Sequence, residues 1–248
     1  MTEDLYEEFA YDYDLFGEAE QYIGKEYDFF VRLFDLYGVK SVLDCSCGTG
    51  RHLFAFHQMG LKAYGSDLSR SMLDVAKKYL SGKDLDLTLK HCDFRWLERC
   101  FEERFDAVVC LSTSLPHLHS DEDLVRALGS MRARLNPGGI LVLTQGTTDL
   151  NIKEGTEIEV VVNRRDFTRV FVKEVSAPFL DIQILDIFHS DSRSSHKQYN
   201  MRYRLLLCED YRRLLDSAGF SNVTFLGDHE MSPYKVSQSE RLIAVAER

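Results

Sequence analysis

Hydrophobic and polar positions along the 248-residue chain follow three patterns, and each predicts a different part of the fold. Over residues 1–38, apolar side chains recur every three or four positions, which predicts a helical cap. Over residues 39–150, short apolar runs alternate with helical segments, and this pattern returns at 208–248. It is typical of a parallel sheet with right-handed crossovers. Residues 151–207 differ, because alternating and β-branched segments separated by turn residues predict an antiparallel sheet.

Together these parts predict an α/β fold: a Rossmann-like, doubly wound sheet with an antiparallel β insert between the fifth strand and the last helix. The insert can cover a ligand pocket. It also has an exposed strand edge, which can pair with a second copy of the chain. We therefore regard the insert as a candidate substrate lid and as a candidate homodimer face.

Residues 42–50, Val-Leu-Asp-Cys-Ser-Cys-Gly-Thr-Gly, are the clearest candidate for ligand binding. An apolar strand is followed by Ser46, Gly48 and Gly50, which turn the chain into a helix. Glycine accepts positive φ and lets a ligand approach the bare backbone. A second apolar run ends at Asp67, where a carboxylate can accept hydrogen bonds from both hydroxyls of a ribose. These features predict a pocket for an adenosine-containing cofactor.

The residues around the loop help to distinguish between cofactors. A dinucleotide site needs the pattern G-x-G-x-x-G, but Gly50 is followed by Arg51, His52 and Leu53, so the third glycine is missing. Asp44 is a poor neighbour for a diphosphate and could face a cationic ligand. S-adenosylmethionine carries a sulfonium and an ammonium and no phosphate, and it suits this loop better. A tight turn that binds nothing is the alternative.

Five motifs in chain order resemble those of class I S-adenosylmethionine-dependent methyltransferases. The first is the loop at 42–50, where Ser46 replaces the usual Gly or Ala. The others are residues 67–73, 93–94, 105–111 and 135–143. The chain is similar in particular to the glycine/sarcosine N-methyltransferases and the sugar N-methyltransferases, and residues 110–118, 226–228 and 233–234 carry this narrower match.

The resemblance implies roles for the matched residues around the cofactor. Asp67 would hold the ribose, Met72 would pack on the adenine, and Asp93 with Phe94 would meet the adenine amino group and ring. Leu111 would offer its main-chain carbonyl to the ammonium of the cofactor. The implied cofactor-binding residues are Tyr13, Asp44, Ser46, Gly48, Gly50, Asp67, Leu68, Met72, Asp93, Phe94 and Leu111.

Two residues are candidates for the chemistry of the methyl acceptor. His117 follows the fourth strand, where the resembled family presents its acceptor pocket. The pKa of a histidine near neutrality also suits removal of an amine proton. The resemblance places Tyr203 on the last insert strand near the substrate, and Tyr13 over the cofactor. Simple packing is the alternative for all three side chains.

The chain departs from the resembled glycine enzymes where they bind the substrate carboxylate. Those enzymes place an Asn after strand four and an Arg just after strand five. This chain has Thr113 at the first position and Gln145, Gly146 and Thr147 around the second. Because these residues cannot replace a bidentate guanidinium, we expect glycine and sarcosine to be poor acceptors.

The charge and composition of the chain limit the kinds of molecule that it is expected to bind. The net charge of −10 argues against nucleic acid, which is bound through an excess of Lys and Arg. We find no run of eighteen apolar residues that would predict a membrane span. The chain starts Met-Thr-Glu-Asp, unlike a basic secretory leader, so a cytoplasmic protein is expected.

The six cysteines lie mainly in or beside apolar strands and form no C-x-x-C pair. We expect them to be small, buried and reduced, without a disulfide and without a metal site. They are Cys45, Cys47, Cys92, Cys100, Cys110 and Cys208.

The sequence thus predicts a class I S-adenosylmethionine-dependent methyltransferase that acts on a small molecule. Methylation at nitrogen is favoured over oxygen by the resemblance alone. Three alternatives remain at this point: an O-methyltransferase, a protein that binds S-adenosylmethionine without turning it over, and a nicotinamide-dependent oxidoreductase. Methyl transfer depends on alignment, exclusion of water and a deprotonated acceptor, so a strong catalytic acid is not required.

Overall fold

A computed structural model describes residues 2–16, 19–191 and 193–248 of the chain. Met1, Gly17 and Glu18, in the predicted helical cap, and Ser192, in the predicted insert, lie outside the described residues. The α-helices are α1 Thr2–Tyr13, α2 Ala19–Tyr37, α3 Arg51–Gln58, α4 Arg70–Ser81, α5 Asp121–Ala133 and α6 Cys208–Ser217. Short 3-10 helices cover Asp14–Phe16, Phe94–Arg99 and Leu115–His117.

A seven-stranded sheet forms the centre of the fold. Its strands are β1 Ser41–Asp44, β2 Lys62–Asp67, β3 Thr88–His91, β4 Phe105–Cys110, β5 Leu135–Gln145, β10 Ser221–Leu226 and β11 Leu242–Glu247. The spatial order is β10-β11-β5-β4-β1-β2-β3. The strands from β5 to β3 run parallel, whereas β11 is antiparallel to both β5 and β10. The parallel part places the ends of β1, β2 and β4 at one edge, where a Rossmann-like sheet binds its ligand.

Helices cover both faces of this sheet, which explains why its strands are apolar almost throughout. On β1, Leu43 packs into the cluster formed with α5 and α6, and Val42 packs into the cluster formed with α2 and α3. Both side chains are fully buried. Residues on the two sides of one strand therefore tie together the two helical layers.

The ends of three helices have capping conformations that local stereochemistry favours. Ser69 caps α4, its hydroxyl accepting the Met72 amide at 3.1 Å. Gly38 and Gly219 follow α2 and α6 with φ values of 62° and 80°, the left-handed conformation that commonly ends a helix.

A second, four-stranded antiparallel sheet lies between β5 and α6 in the chain. Its strands are β6 Gly155–Asn163, β7 Phe167–Ser176, β8 Phe179–Phe188 and β9 Ser195–Arg204, in that spatial order. The predicted α/β class with an antiparallel insert is confirmed.

Helix α1 connects this insert to the central domain. The Glu7 carboxylate accepts hydrogen bonds from the amides of Arg70 and Ser71 at the start of α4. At the other end of α1, the Arg169 guanidinium donates to the main-chain carbonyl of Asp12 at 2.8 Å and is held by Asp186. The charge of Arg169 suits the carbonyl end of the helix, where acceptors lack intrahelical partners.

The prediction for the cysteines is partly wrong. Cys92 and Cys100 form a disulfide with a Cα–Cα distance of 6.3 Å, because the 3-10 helix at Phe94–Arg99 brings the chain back beside the end of β3. The four remaining cysteines are buried and free. Within the described ranges there is no group of three or more potential metal-ligating side chains, and no helix is long and apolar enough to cross a membrane.

Candidate active site

A cavity of about 130 Å³ lies at the edge where β1, β2 and β4 end. Most of the predicted cofactor residues line it, including the glycine-rich loop and the residues after β2. They are Tyr13, Ser46, Gly48, Asp67, Leu68, Met72, Asp93 and Phe94. His117 lines the same cavity, so the structure brings a candidate acceptor residue next to the candidate cofactor residues.

Asp67 is fixed by the backbone around it. One carboxylate oxygen accepts the Gly48 amide at 2.8 Å, and the other accepts the Ser69 amide at 2.9 Å. Burial raises the pKa of Asp67, and the two amides oppose this effect. Each oxygen keeps a further lone pair that can accept a hydroxyl hydrogen, as a ribose-binding carboxylate requires.

Asp44 lies beneath the loop with 1% of its surface exposed. Its Oδ1 accepts the Ser46 amide at 3.2 Å, whereas Oδ2 is buried and has no hydrogen-bond partner within the described residues. Burial raises the pKa of Asp44 to about 6. An unsatisfied buried carboxylate oxygen is costly, and a ligand ammonium would satisfy it. The residues present therefore fit the cationic methionyl end of S-adenosylmethionine.

Asp44, Gly50 and Leu111 are not among the described residues that line the cavity, and Asp44 lies directly beneath the lining residue Ser46. Gly50 has φ 82°, and a Cβ there would lie 3.1 Å from Cβ of Ala76, so this glycine permits α3 to pack on α4. The Leu111 carbonyl accepts hydrogen bonds from the Ser114 amide and hydroxyl at 3.3 and 2.7 Å. These contacts engage the carbonyl within the protein, and its binding of the cofactor ammonium stays a prediction.

Asp93 has a partner that the sequence analysis did not anticipate. Its carboxylate accepts hydrogen bonds from the Arg95 guanidinium at 2.6 to 3.1 Å, and Arg95 also binds Asp123 at 2.9 Å. Asp93 and Arg95 both line the cavity. The contact of Asp93 with the adenine amino group stays a prediction. Met72, 2% exposed, and Phe94 offer apolar surface at the same end.

His117 lies between two tyrosines. Its Nε2 is 2.9 Å from the Tyr6 hydroxyl, and its ring centroid is 4.6 Å from that of Tyr203. Its Nδ1 is buried without a partner among the described residues. Burial, with a smaller contribution from His119, lowers the pKa of His117 to about 4, so the ring is neutral at neutral pH. This differs from the near-neutral pKa that motivated its selection from the sequence.

Tyr6 lines both the cofactor cavity and the cavity beside it, and the sequence analysis did not name it as a site residue. It lies in α1 among several tyrosines, and nothing in the local pattern separates it from them. Burial raises the pKa values of Tyr6 and Tyr13, and it raises that of Tyr203 to about 12. All three phenols are therefore neutral donors at neutral pH.

A second cavity of about 900 Å³ adjoins the first. The two cavities share Tyr6, Tyr13 and Ser112 in their walls. Tyr203 lines the second cavity, together with the inward face of the insert. Ser112 and Thr113 have φ values of 56° and 69°, and such a backbone in residues other than glycine often accompanies a functional site.

The structure shows what surrounds Gln145 and Thr113, two of the positions where the sequence analysis finds no carboxylate-binding residue. Gln145 donates to the carbonyls of Thr147 and Leu206 and accepts from the Tyr211 hydroxyl, so its amide has a structural role. Thr113 lines the second cavity, but its hydroxyl accepts only weakly, from the Gly146 amide at 3.4 Å.

The sheet, the glycine-rich loop and the two adjoining cavities define a Rossmann-like enzyme with an adenosine cofactor and a second ligand. A family model described as a methyltransferase domain matches residues 42–139. A glycine/sarcosine N-methyltransferase of Aphanothece halophytica is 32% identical over 207 residues, covering 83% of this chain and 75% of that protein. This chain therefore belongs to the class I S-adenosylmethionine-dependent methyltransferases.

Two further similarities agree with this family assignment. A dTDP-3-amino-3,6-dideoxy-alpha-D-glucopyranose N,N-dimethyltransferase of Streptomyces fradiae is 29% identical over 185 residues, which are 73% of this chain and 70% of that protein. A crystal structure of an S-adenosylmethionine-dependent methyltransferase from Clostridium acetobutylicum superposes with a TM-score of 0.83 over 98% of both chains at 17% identity, which shows the shared fold. The cofactor is thus S-adenosylmethionine, as predicted, and the oxidoreductase alternative is wrong.

Proposed function

We propose that this protein transfers the methyl group of S-adenosylmethionine to the amine nitrogen of a small molecule other than glycine. The observation that carries the proposal is the meeting of the two cavities at Tyr6, Tyr13 and Ser112. A cofactor in the first cavity and an acceptor in the second would face one another there. Methylation at nitrogen is supported by the similar proteins, which are N-methyltransferases.

S-adenosylmethionine, when bound, supplies a methyl group already activated by its sulfonium. Asp67 would accept hydrogen bonds from the ribose hydroxyls, and the free oxygen of Asp44 would bind the ammonium. Met72 and Phe94 would pack on the adenine. These residues orient one ligand of an in-line displacement, whose rate depends mostly on alignment.

The acceptor must present a free electron pair, so it must react as a neutral amine. Burying a charged ammonium without a partner is costly, and a cavity lined by Tyr6, Tyr13 and Tyr203 favours the neutral form. The pKa of His117, about 4, makes its imidazole a weak base. We infer that the unpartnered Nδ1 of His117 orients the amine by accepting its N–H, while Nε2–H donates to the Tyr6 hydroxyl.

The glycine and sarcosine of the relatives are not carried over to this chain. No arginine is among the described residues that line the second cavity, and Gln145 is occupied by structural hydrogen bonds. A carboxylate there would lack a bidentate partner. A homodimer through the insert and a cytoplasmic location stay predictions.

The test combines cofactor binding with turnover. Calorimetry should show binding of S-adenosylmethionine and S-adenosylhomocysteine. A coupled assay of S-adenosylhomocysteine formation should then show turnover with amines, and mass spectrometry should place the added methyl on nitrogen. Methylation of hydroxyls but not amines would favour an O-methyltransferase. Tight cofactor binding without turnover on amines or hydroxyls would instead indicate a non-catalytic binding protein.

A further inference from the structure

The floor of the second cavity is the inward face of the insert, and its chemistry changes from one strand to the next. Residues at alternate positions of each strand line the cavity, as the pleat of a sheet requires. They are Gly155, Glu157 and Glu159 of β6; Phe171, Lys173 and Val175 of β7; Leu180, Ile182 and Ile184 of β8; and Met201 and Tyr203 of β9.

The end of this floor at β9 is the reaction end. Tyr203 packs on His117, and Met201 lies with Phe9 and Ile184 in a buried apolar cluster. The opposite end is β6, the edge strand, which carries Glu157 and Glu159. Three strand spacings separate β9 from β6, or about 14 Å. An acceptor whose amine lies beside His117 would thus cross the apolar residues of β8 before its far end reaches β7 and β6, where Lys173 lies opposite Glu157 and pairs with Glu159.

The charges that line the cavity are unevenly balanced. Five charged residues line the cavity, the carboxylates Glu157, Glu159 and Glu240 and the ammonium groups Lys153 and Lys173, which leaves an excess of one negative charge. Lys173 forms an ion pair with Glu159. Glu157 and Glu240 form no ion pair in the described part of the chain, and both are exposed. At the β6 end Glu157 and Glu159 outnumber Lys173, so a cationic group there would be attracted on balance and a carboxylate or phosphate would be repelled.

The size of the cavity also favours an extended acceptor without an acidic group. A volume of about 900 Å³ is near the upper end of the range for sites that hold drug-sized ligands. Glycine would leave most of this space to water. A nucleotide-linked amino sugar would fill it, but its diphosphate would need cationic partners, and Lys153 is the sole lining cation not already paired with a carboxylate among the described residues.

We propose that the acceptor is an amine with an extended apolar body and no acidic group, whose far end lies at Glu157 on the β6 edge. This inference rests on the proposed methyl transfer to an amine and specifies the class of acceptor. This acceptor class differs from those that the relatives' names give, which are an amino acid and a nucleotide-linked amino sugar.

A matched series of acceptors tests the proposal. Octylamine, the diamine with a second amine at the far end of the same chain, and the amino acid with a carboxylate at that end differ in one terminal group. Glycine and a dTDP-linked amino sugar complete the set. We expect kcat/KM to decrease from the diamine to octylamine to the amino acid. The first and last should differ by about ten-fold or more, as for one charge pair near a protein surface.

Two variants test whether Glu157 causes the preference for the diamine. Glu157→Gln removes one carboxylate from the far end and should reduce the preference for the diamine over the amino acid several-fold. Glu174→Gln makes the same charge change on β7 outside the cavity lining, and it should leave that preference unchanged. An unchanged preference in Glu157→Gln would overturn the placement of the far end.

The remaining outcomes separate this inference from the proposed function. If glycine or the dTDP-linked sugar is turned over faster than every aliphatic amine, the proposed class of acceptor is wrong. The proposed N-methylation would not be affected by that result. Equal turnover of the diamine and the amino acid would also overturn the class. If no amine is methylated although calorimetry shows bound S-adenosylmethionine, both the proposed class of acceptor and the proposed function are wrong.

Discussion

The hydroxyl of Tyr6 lies 2.9 Å from Nε2 of His117, although 111 positions separate the two residues in the chain. One belongs to α1 and the other to the short helix after β4. Both side chains line the cofactor cavity, so their contact joins α1 to the wall of that cavity. The other ring nitrogen of His117, Nδ1, has no hydrogen-bond partner among the described residues.

Tyr6→Phe should therefore lower kcat about five-fold, since it removes one hydrogen bond worth about 1 kcal/mol. Binding of S-adenosylmethionine, measured by calorimetry, should change little. Tyr11→Phe is the matched control, because Tyr11 is in the same helix and 67% exposed. An equal loss of kcat in both variants would contradict a specific role for the Tyr6 hydroxyl.

His117→Asn should lower kcat/KM by about ten- to a hundred-fold, within the range for groups that act on a proton. The pKa of His117, about 4, lies below the pH range of the assay. The pH profile of the variant from neutral to alkaline pH should thus keep the shape of the wild-type profile, set by the acceptor amine. His119→Asn is the control, because its side chain is exposed and its hydrogen bond within the described part of the chain is to the Arg202 carbonyl. If the wild-type pH profile has an inflection near neutral pH that the His117→Asn profile lacks, His117 would instead be identified as a general base.

Asp67→Asn should weaken binding of S-adenosylmethionine and S-adenosylhomocysteine by about ten- to a hundred-fold, because hydrogen bonds to a charged group contribute about 1.5–3 kcal/mol. An asparagine amide would also place N–H groups against the amides of Gly48 or Ser69. Asp74→Asn makes the same charge change on the exposed side of α4 and should bind normally. Calorimetry compares the two, and equal affinities would exclude Asp67 from the cofactor site.

Asp44 should make both cofactor binding and stability depend on pH. Its pKa of about 6 in the folded protein lies above the value of about 3.9 expected in the unfolded chain. Between these values the folded state holds more protons, so the free energy of unfolding decreases as pH rises through this window and is lowest above pH 6. The total effect is about 3 kcal/mol.

Asp44→Asn should therefore be more stable than the wild type at neutral pH without ligand, and the difference should disappear near pH 4 in urea unfolding. The same variant should bind S-adenosylmethionine more weakly at neutral pH, because it lacks the carboxylate for the ammonium. The wild-type affinity should fall as pH is lowered through about 6. A variant that loses stability at neutral pH would contradict the unsatisfied state of Oδ2.

The buried pair of Arg169 and Asp186 should be a major determinant of stability. Both side chains are fully buried, and Arg169 also binds the end of α1. Asp186→Asn should cost about 3–5 kcal/mol in urea unfolding, because it leaves a buried guanidinium without its counter-ion. Asp181→Asn, which breaks the exposed pair with Arg202 on the neighbouring strand, should cost less than about 1 kcal/mol. Similar losses would mean that burial does not distinguish the two pairs.

Local patterns in the sequence determined much of this protein. The alternation of apolar runs and helices predicted the central sheet, and the period of two predicted the insert. The glycine-rich loop and Asp67 lie together because consecutive parallel strands end at one edge, a consequence that the chain order already contains. For that reason most of the predicted cofactor residues lie around one cavity.

Tertiary packing alone decided the rest. The sequence does not show that Tyr6, among several tyrosines of α1, would contact His117, or that burial would lower the pKa of that histidine. It does not show that Cys92 would meet Cys100, or that Leu111 would direct its carbonyl to Ser114. These relationships depend on how α1, the insert and the strand ends pack together, and on the desolvation that results. Burial is a property of the assembled fold, and no short pattern of residues records it.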